Sequence, residues 1–166
     1  MASILEDFDA SLLAFQQIEP KRTFRWFVEI DGIDSFAAQT MGRPSVSFDE
    51  VEVNFVNSKQ YFAGKATWQE LNITFLDVIA PSQLQKLMAW MRSVQEFETG
   101  GAGYKLQYIK TITLKMLGPQ NDIVEQWTLK NAWPKSLTPS TLDYNDNTGV
   151  STLECTLRFD QAIQEY

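Results

Sequence analysis

Residues Val46–Asp77 read VSFDEVEVNFVNSKQYFAGKATWQELNITFLD, and the fold turns on how this stretch pairs. In its first limb Val51, Val53 and Phe55 alternate with Glu50, Glu52 and Asn54; in its second Leu71, Ile73 and Phe75 alternate with Glu70, Asn72 and Thr74. A period of two places each set on one face of a pleated strand. The polar middle, Asn57 to Lys65, is longer than a tight turn requires. The pattern therefore predicts one long β-hairpin, with Val46–Phe55 and Leu71–Phe75 as its arms and Asn57–Lys65 as its loop. Its apolar face is expected to cover the core beneath a helix, and its wet face carries acids, amides and hydroxyls without a Lys or Arg.

Outward from the hairpin, Trp26, Val28 and Ile30 alternate along a strand from Thr23 to Ile30. Asp31-Gly32 is a hairpin signal, with Phe36 to Thr40 as the expected returning partner. Pro81 precedes the main helix, where Ser82 and Gln85 have capping-box spacing. Leu84, Leu87, Met88, Met91 and Val94 form its apolar stripe, widened by Trp90 and Phe97. Met and aromatic residues at this spacing are core residues. Gly100-Gly101-Ala102-Gly103 ends the helix; phosphate-binding glycines should instead follow a strand and open a helix. Strands are predicted from Tyr108 to Leu117, from Ile123 to Lys130 and from Val150 to Asp160, the last with Leu153, Cys155, Leu157 and Phe159 on its inner side. Ser3 and Glu6 can cap a short amphipathic helix carrying Ile4, Leu5, Phe8, Leu12 and Phe15, or the segment is an arm ordered by contact.

The expected fold is mainly β: an antiparallel sandwich or barrel of about seven strands with one flanking α-helix, the long hairpin, and a short N-terminal helix or arm. Residues 1–20 form the arm and 21–166 a single β domain. At 166 residues the chain can bury about 70% of its extended surface. A net charge of −7 argues against non-specific nucleic-acid binding, which needs a cationic footprint. Glu6, Asp7 and Asp9 stand where a signal peptide would be basic and then apolar. No apolar run reaches the ~20 residues of a membrane span, so no membrane partner is expected.

Catalytic chemistry finds little support. The chain has no histidine, which removes the commonest general base and metal ligand. Glu50 and Glu52 share a strand face and are the best carboxylate pair for acid–base work. Asp143, Asn145 and Asn147 superficially suggest an oxygen-rich calcium loop, but the Gly and Glu of that pattern are missing or lie in a strand. Cys155, the single cysteine, falls on a buried strand face as a small hydrophobe. The expectation is a protein with no catalytic residue, no cofactor and no metal.

Several segments are informative in conjunction: Asn57-Ser58-Lys59-Gln60-Tyr61-Phe62-Ala63-Gly64, then Trp68 and the strand Leu71–Phe75; the helix with Trp90; Trp133-Pro134; Leu142-Asp143-Tyr144-Asn145; and a last amphipathic strand. In order and spacing, from about Thr23 to Phe159, the chain resembles the tail tube proteins of contractile-tailed bacteriophages, the group that includes the tube of the T-even coliphages. The resemblance implies a structural virion protein, assembled in the host cytoplasm. Homo-hexameric rings would stack head-to-tail into a hollow tube, with sheath protein outside, and tape-measure protein and transiting DNA inside. A baseplate and a tail terminator would sit at its ends. It further implies that Asn57, Ser58, Lys59, Gln60, Tyr61, Phe62, Gly64 and Lys65 join one ring to the next. Glu50, Glu52, Asn54, Glu70, Asn72 and Thr74 would face the lumen, where an anionic lining slightly repels DNA. Two other readings stay open: a tube-initiator or inner-tube subunit of a phage-like injection or type VI secretion device, and, more remotely, a β-barrel binding a small apolar ligand.

Overall fold

In strand after strand, every second side chain is buried. Val28 and Ile30, then Ile112, Leu114 and Met116, then Leu71, Ile73 and Phe75, then Leu153, Cys155 and Leu157 are all nearly inaccessible. Such alternation forces half-buried antiparallel sheet. The computed structural model of the chain describes Phe15 and residues 18–166; the predicted N-terminal helix, Ser3 to Phe15, lies outside the described residues but for Phe15.

The strands are β1 (Trp26–Ile30), β2 (Ala38–Met41), β3 (Val46–Phe55), β4 (Ser58–Trp68), β5 (Leu71–Leu76), β6 (Lys110–Leu117), β7 (Ile123–Pro139), β8 (Thr152–Arg158) and β9 (Gln161–Gln164). Helix α1 spans Gln83–Val94 and the helical turn α2 spans Lys105–Tyr108. Among the described residues, seven strands form one antiparallel sheet in the order β1-β6-β7-β8-β5-β2, with β9 also on β7, while β3 and β4 pair only with each other. The mainly β fold with one main helix is the fold expected from the sequence.

Strand β7 is the spine. Its first half lies between β6 and β9, and its second half pairs with β8. The change of partner falls where Lys110 opposes Ala132 but Ile112 opposes Leu129, an extra residue in β7. Asn131 sits there with φ +56, a left-handed conformation that Asn tolerates better than most residues. The bulge bends one long strand into two half-sheets, β1-β6-β7-β9 and β7-β8-β5-β2. The core fills the space between them: Val28, Ile112 and Leu129 from one side, Ile73, Phe75, Leu153 and Leu157 from the other. Each such side chain contributes about 1.5–3 kcal/mol on burial.

Helix α1 adds Leu87 and Trp90 to this core. Ser82 caps it by accepting from the Gln85 N–H. Its inward stripe is Gln83, Leu87 and Trp90, with Leu84, Met88, Met91 and Val94 only half-buried. The indole N–H of Trp90 donates to the Tyr108 carbonyl at 2.6 Å, which ties the helix to α2.

Four local expectations are corrected. Val46–Phe55 does not pair with Leu71–Phe75; Val51 opposes Phe62, and Phe55 opposes Ser58 across a two-residue turn at Val56-Asn57. Asn57–Lys65 is therefore mostly a strand rather than a loop. Second, the apolar face of β3 does not reach the core: Val51, Val53 and Phe55 remain 50%, 47% and 74% exposed. Alternation alone cannot distinguish a strand that meets the core from one that extends past it. Third, β1 and β2 do not pair: Asp31-Gly32 does turn the chain, but β1 joins β6 and β2 joins β5. Fourth, the strand expected from Ile123 to Lys130 runs on to Pro139.

Candidate assembly surfaces

The half-sheet β7-β8-β5-β2 turns one face to the core and the other to solvent. On the solvent side the register aligns Ser136, Thr156 and Asn72 in one row, and Thr138, Glu154, Thr74 and Thr40 in the next. Cross-strand neighbours of this kind lie about 4.5–5.5 Å apart, so the rows are continuous polar ribbons. The Thr156 hydroxyl donates to Asn72 Oδ1 at 3.0 Å. At the end of the face Lys135 reaches across β8 to Glu70, and its ammonium holds the Glu70 carboxyl below the usual carboxylate range. Glu154 and Arg158 complete the charged groups, two of each sign. The face is thus hydroxyl-rich and balanced, and the expectation of an acidic lining free of cations is corrected at Lys135.

Both edges of this half-sheet are open among the described residues. On one side β2 pairs only with β5; on the other, β7 from Lys135 to Pro139 pairs only with β8. Pro139 stands on this edge strand, where its missing N–H costs no ladder bond. Open edges are templates for strand addition by another chain.

The β3–β4 hairpin is the second surface. Its turn holds Val56 at φ +48, strained for a β-branched residue. Along β4 the extra residue between Phe48↔Ala66 and Glu50↔Ala63 makes a bulge at Gly64-Lys65. A Cβ on Gly64 would lie 2.9 Å from the Asp49 carbonyl oxygen, so only glycine allows the strands this close. Asn57 is in the turn, and Ser58, Lys59, Gln60, Tyr61, Phe62, Gly64 and Lys65 are all on β4, mostly exposed.

The six residues expected to share one wet face belong to two surfaces. Asn72 and Thr74 lie on the polar half-sheet, with Glu70 at its end, whereas Glu50, Glu52 and Asn54 lie on β3 of the hairpin. Glu52 is bound by Lys59 at 2.8 Å, a second cation where none was expected. Glu50 and Glu52 stand on an exposed two-stranded ribbon opposite Ala63 and Tyr61. Residues that sequence reasoning left unplaced are Ser136, Thr138, Glu154 and Thr156. On β8 Thr152, Glu154, Thr156 and Arg158 alternate with buried residues, but no local signal tells that β8 lies beside β5.

The other chemical candidates are structural. Burial pushes the Cys155 thiol up to about 12. The Asp146 carboxylate accepts the N–H groups of Thr148 and Gly149, which hold it below its ordinary range. Among the described residues no three His, Cys, Asp or Glu side chains cluster closely enough to hold a metal, and no helix is long and apolar enough to cross a membrane.

A bent antiparallel sheet with one flanking helix and a hairpin outside the main sheet is a fold shared with chains of contractile injection assemblies. The chain superposes on a protein of the anti-feeding prophage cap (the tube-terminating cap) with a TM-score of 0.73 at 17% identity, covering 89% of this chain and 92% of that one. It superposes on a chain of the extended sheath–tube complex of an extracellular contractile injection system with a TM-score of 0.71 at 20% identity, covering 93% and 96%. Residues 22–162 match the T4-like virus tail tube protein gp19 family, and the chain belongs to that family. It is 25% identical over 158 residues to the tail tube protein of Serratia phage KSP90, spanning 87% of this chain and 89% of that protein. It is 24% identical over 129 residues to tail tube protein gp19 of Enterobacteria phage T4, spanning 76% and 78%. It is a structural tail protein of the contractile-phage type.

Proposed function

We propose that six copies close into a ring and that rings stack head-to-tail into the inner tube of a contractile tail, a conduit for DNA ejection. One observation carries this reading: a polar four-stranded half-sheet with an open edge on each side. Joining the β2 edge of one copy to the β7 edge of the next pairs two edges that are otherwise open, with Pro139, which has no N–H to donate, at the end of the joined stretch. Repeated around a ring, it closes the sheet and abolishes its edges. The lining would be the rows through Asn72, Thr74, Glu154 and Thr156, with Glu70 paired at the rim. Balanced charge and hydroxyl groups give DNA neither a cationic grip nor a strong repulsion. Glu50, Glu52 and Asn54 are assigned to the hairpin, which joins rings together with Asn57–Lys65. Sheath protein outside, tape-measure protein and DNA inside, and baseplate and terminator at the ends are the partners of such a tube. Residues 21–166 act as the tube domain and residues 1–20 as an arm.

A second reading, an initiator or inner-tube subunit of an injection device, is favoured by the likeness in fold to injection-system chains. The same ring chemistry serves both. Negative-stain electron microscopy of the purified protein, alone and with a baseplate seed, tests the proposal: six-fold rings and hollow tubes are expected. A protein that remains monomeric under all such conditions overturns it.

A further inference from the structure

The hairpin is apolar on opposite faces at its two ends. Near its root the even-numbered residues Val46 and Phe48 oppose Trp68 and Ala66. Beyond Asp49 the apolar residues are odd-numbered, Val51, Val53 and Phe55, with Phe62 across from Val51. Successive side chains of a strand point to opposite faces, so the root patch and the outer patch look in opposite directions.

The Trp68 end of the root patch meets the body of its own subunit, its ring 5.9 Å from that of Phe159, while Val46 and Phe48 stay 42% and 64% exposed. Trp68 and Phe159 together wall an open cleft of about 510 Å³, continued by Tyr108 and Trp133, whose rings meet edge-on at 6.2 Å. Lys105 and Arg158 stand at this cleft. Lys105 is held by Asp160 at 2.6 Å, while Arg158 has no ion-pair partner among the described residues. The outer patch carries a matching anion: Asp49 shares the face of Val51 and Val53 and is likewise unpaired among the described residues.

Geometry keeps these two surfaces apart within one subunit, since the outer patch faces away from the cleft that the root patch lines. They can meet only between copies, in a head-to-tail contact that propagates instead of closing on itself. We propose that the cleft beneath the hairpin root receives the outer hairpin face of a second copy, with Val51 and Phe62 against its aromatic walls and Asp49 against Arg158. Each hairpin then donates its outer half to one neighbour and builds the acceptor for another with its root. This rests on the reading that the hairpin joins copies, and adds where it seats.

The test is disulfide trapping in assembled tubes carrying Val51→Cys and Thr67→Cys, Thr67 being a cleft residue and the native Cys155 being buried. Oxidation should convert the double variant into a ladder of linked chains, while each single variant gives none. A charge exchange supplies a second arm: Arg158→Glu should cut assembled protein at least tenfold with the subunit still folded, and adding Asp49→Arg should restore it. Tubes that form normally with Arg158→Glu and give no ladder overturn the seating but leave the ring-stacking reading intact. A ladder from Thr67→Cys with Phe8→Cys instead assigns the cleft to the N-terminal segment and also overturns it. Absence of any tubes from the unmodified protein defeats the underlying reading itself.

Discussion

Val51 lies directly across the hairpin from Phe62, and both side chains remain about half exposed, at 50% and 54%. A paired valine and phenylalanine left in water suit the contact between copies proposed for the hairpin. An isolated two-stranded ribbon is at best marginally stable. In the free subunit, the amides of Val51, Val53 and Phe62 should therefore exchange with solvent orders of magnitude faster than those of Ile73 and Ile112 in the core sheet. In assembled tubes the hairpin amides should become protected. Hydrogen-exchange mass spectrometry reads both states, and a hairpin equally protected in the free subunit would contradict this.

Gly64→Ala places a methyl group 2.9 Å from the Asp49 carbonyl oxygen, which forces the bulge apart. The local cost is about 1–3 kcal/mol. Because β3 and β4 pair only with each other among the described residues, the thermal midpoint of the body should hardly move, while tube yield should fall sharply. Calorimetry and electron microscopy on the same sample separate the two effects.

Glu125 is almost fully buried on β7, and burial alone would raise its pKa. The Lys21 ammonium at 2.5 Å and the Trp127 indole N–H at 2.7 Å, followed by the field of Arg43, outweigh that and hold it below its ordinary 4.5. A depressed carboxylate contributes stability that is present above its unfolded value and lost as pH falls through its folded value. Glu125→Gln should cost about 1–3 kcal/mol at pH 7. The gap to the unaltered protein should shrink below about pH 4.5. Denaturant unfolding at pH 7 and pH 3.5 checks the sign.

Cys155 is a reporter of the core. With its thiol buried and raised to about 12, it should resist alkylation at pH 8 until the sheet opens. Leu153→Asp, two residues before it on the same inner face, places an unpaired charge in the core and should leave the subunit unfolded, with Cys155 reactive at once.

How much of this was legible in the sequence differs by element. Strands that meet the core, such as Leu71–Phe75 and Leu153–Phe159, announce themselves because burial on one face enforces strict alternation. Helix α1 was legible from Ser82 and its apolar spacing, though the stripe centres on Gln83, Leu87 and Trp90 because tertiary contact chooses the face. The resemblance over Thr23–Phe159 pointed to the right family. What misled was Val46–Phe55: it alternates as cleanly as a core strand although Val51, Val53 and Phe55 stay exposed, and local pattern carries no label for what an apolar face meets. Register was equally hidden. Asn57–Lys65 is polar enough for a loop, and only the pairing of Val51 with Phe62 reveals a strand. The polar rows through Asn72 and Thr156 arise from long-range pairing of β5 with β8, which no local signal encodes.

The most direct test is a cryo-EM helical reconstruction of the assembled tube. The account predicts six-fold rings whose lumen is a continuous β-barrel lined by Asn72, Thr74, Glu154 and Thr156, with the hairpins crossing between rings. A tube in which those residues face outward, or in which the β2 and β7 edges of neighbouring copies are not joined, would contradict it.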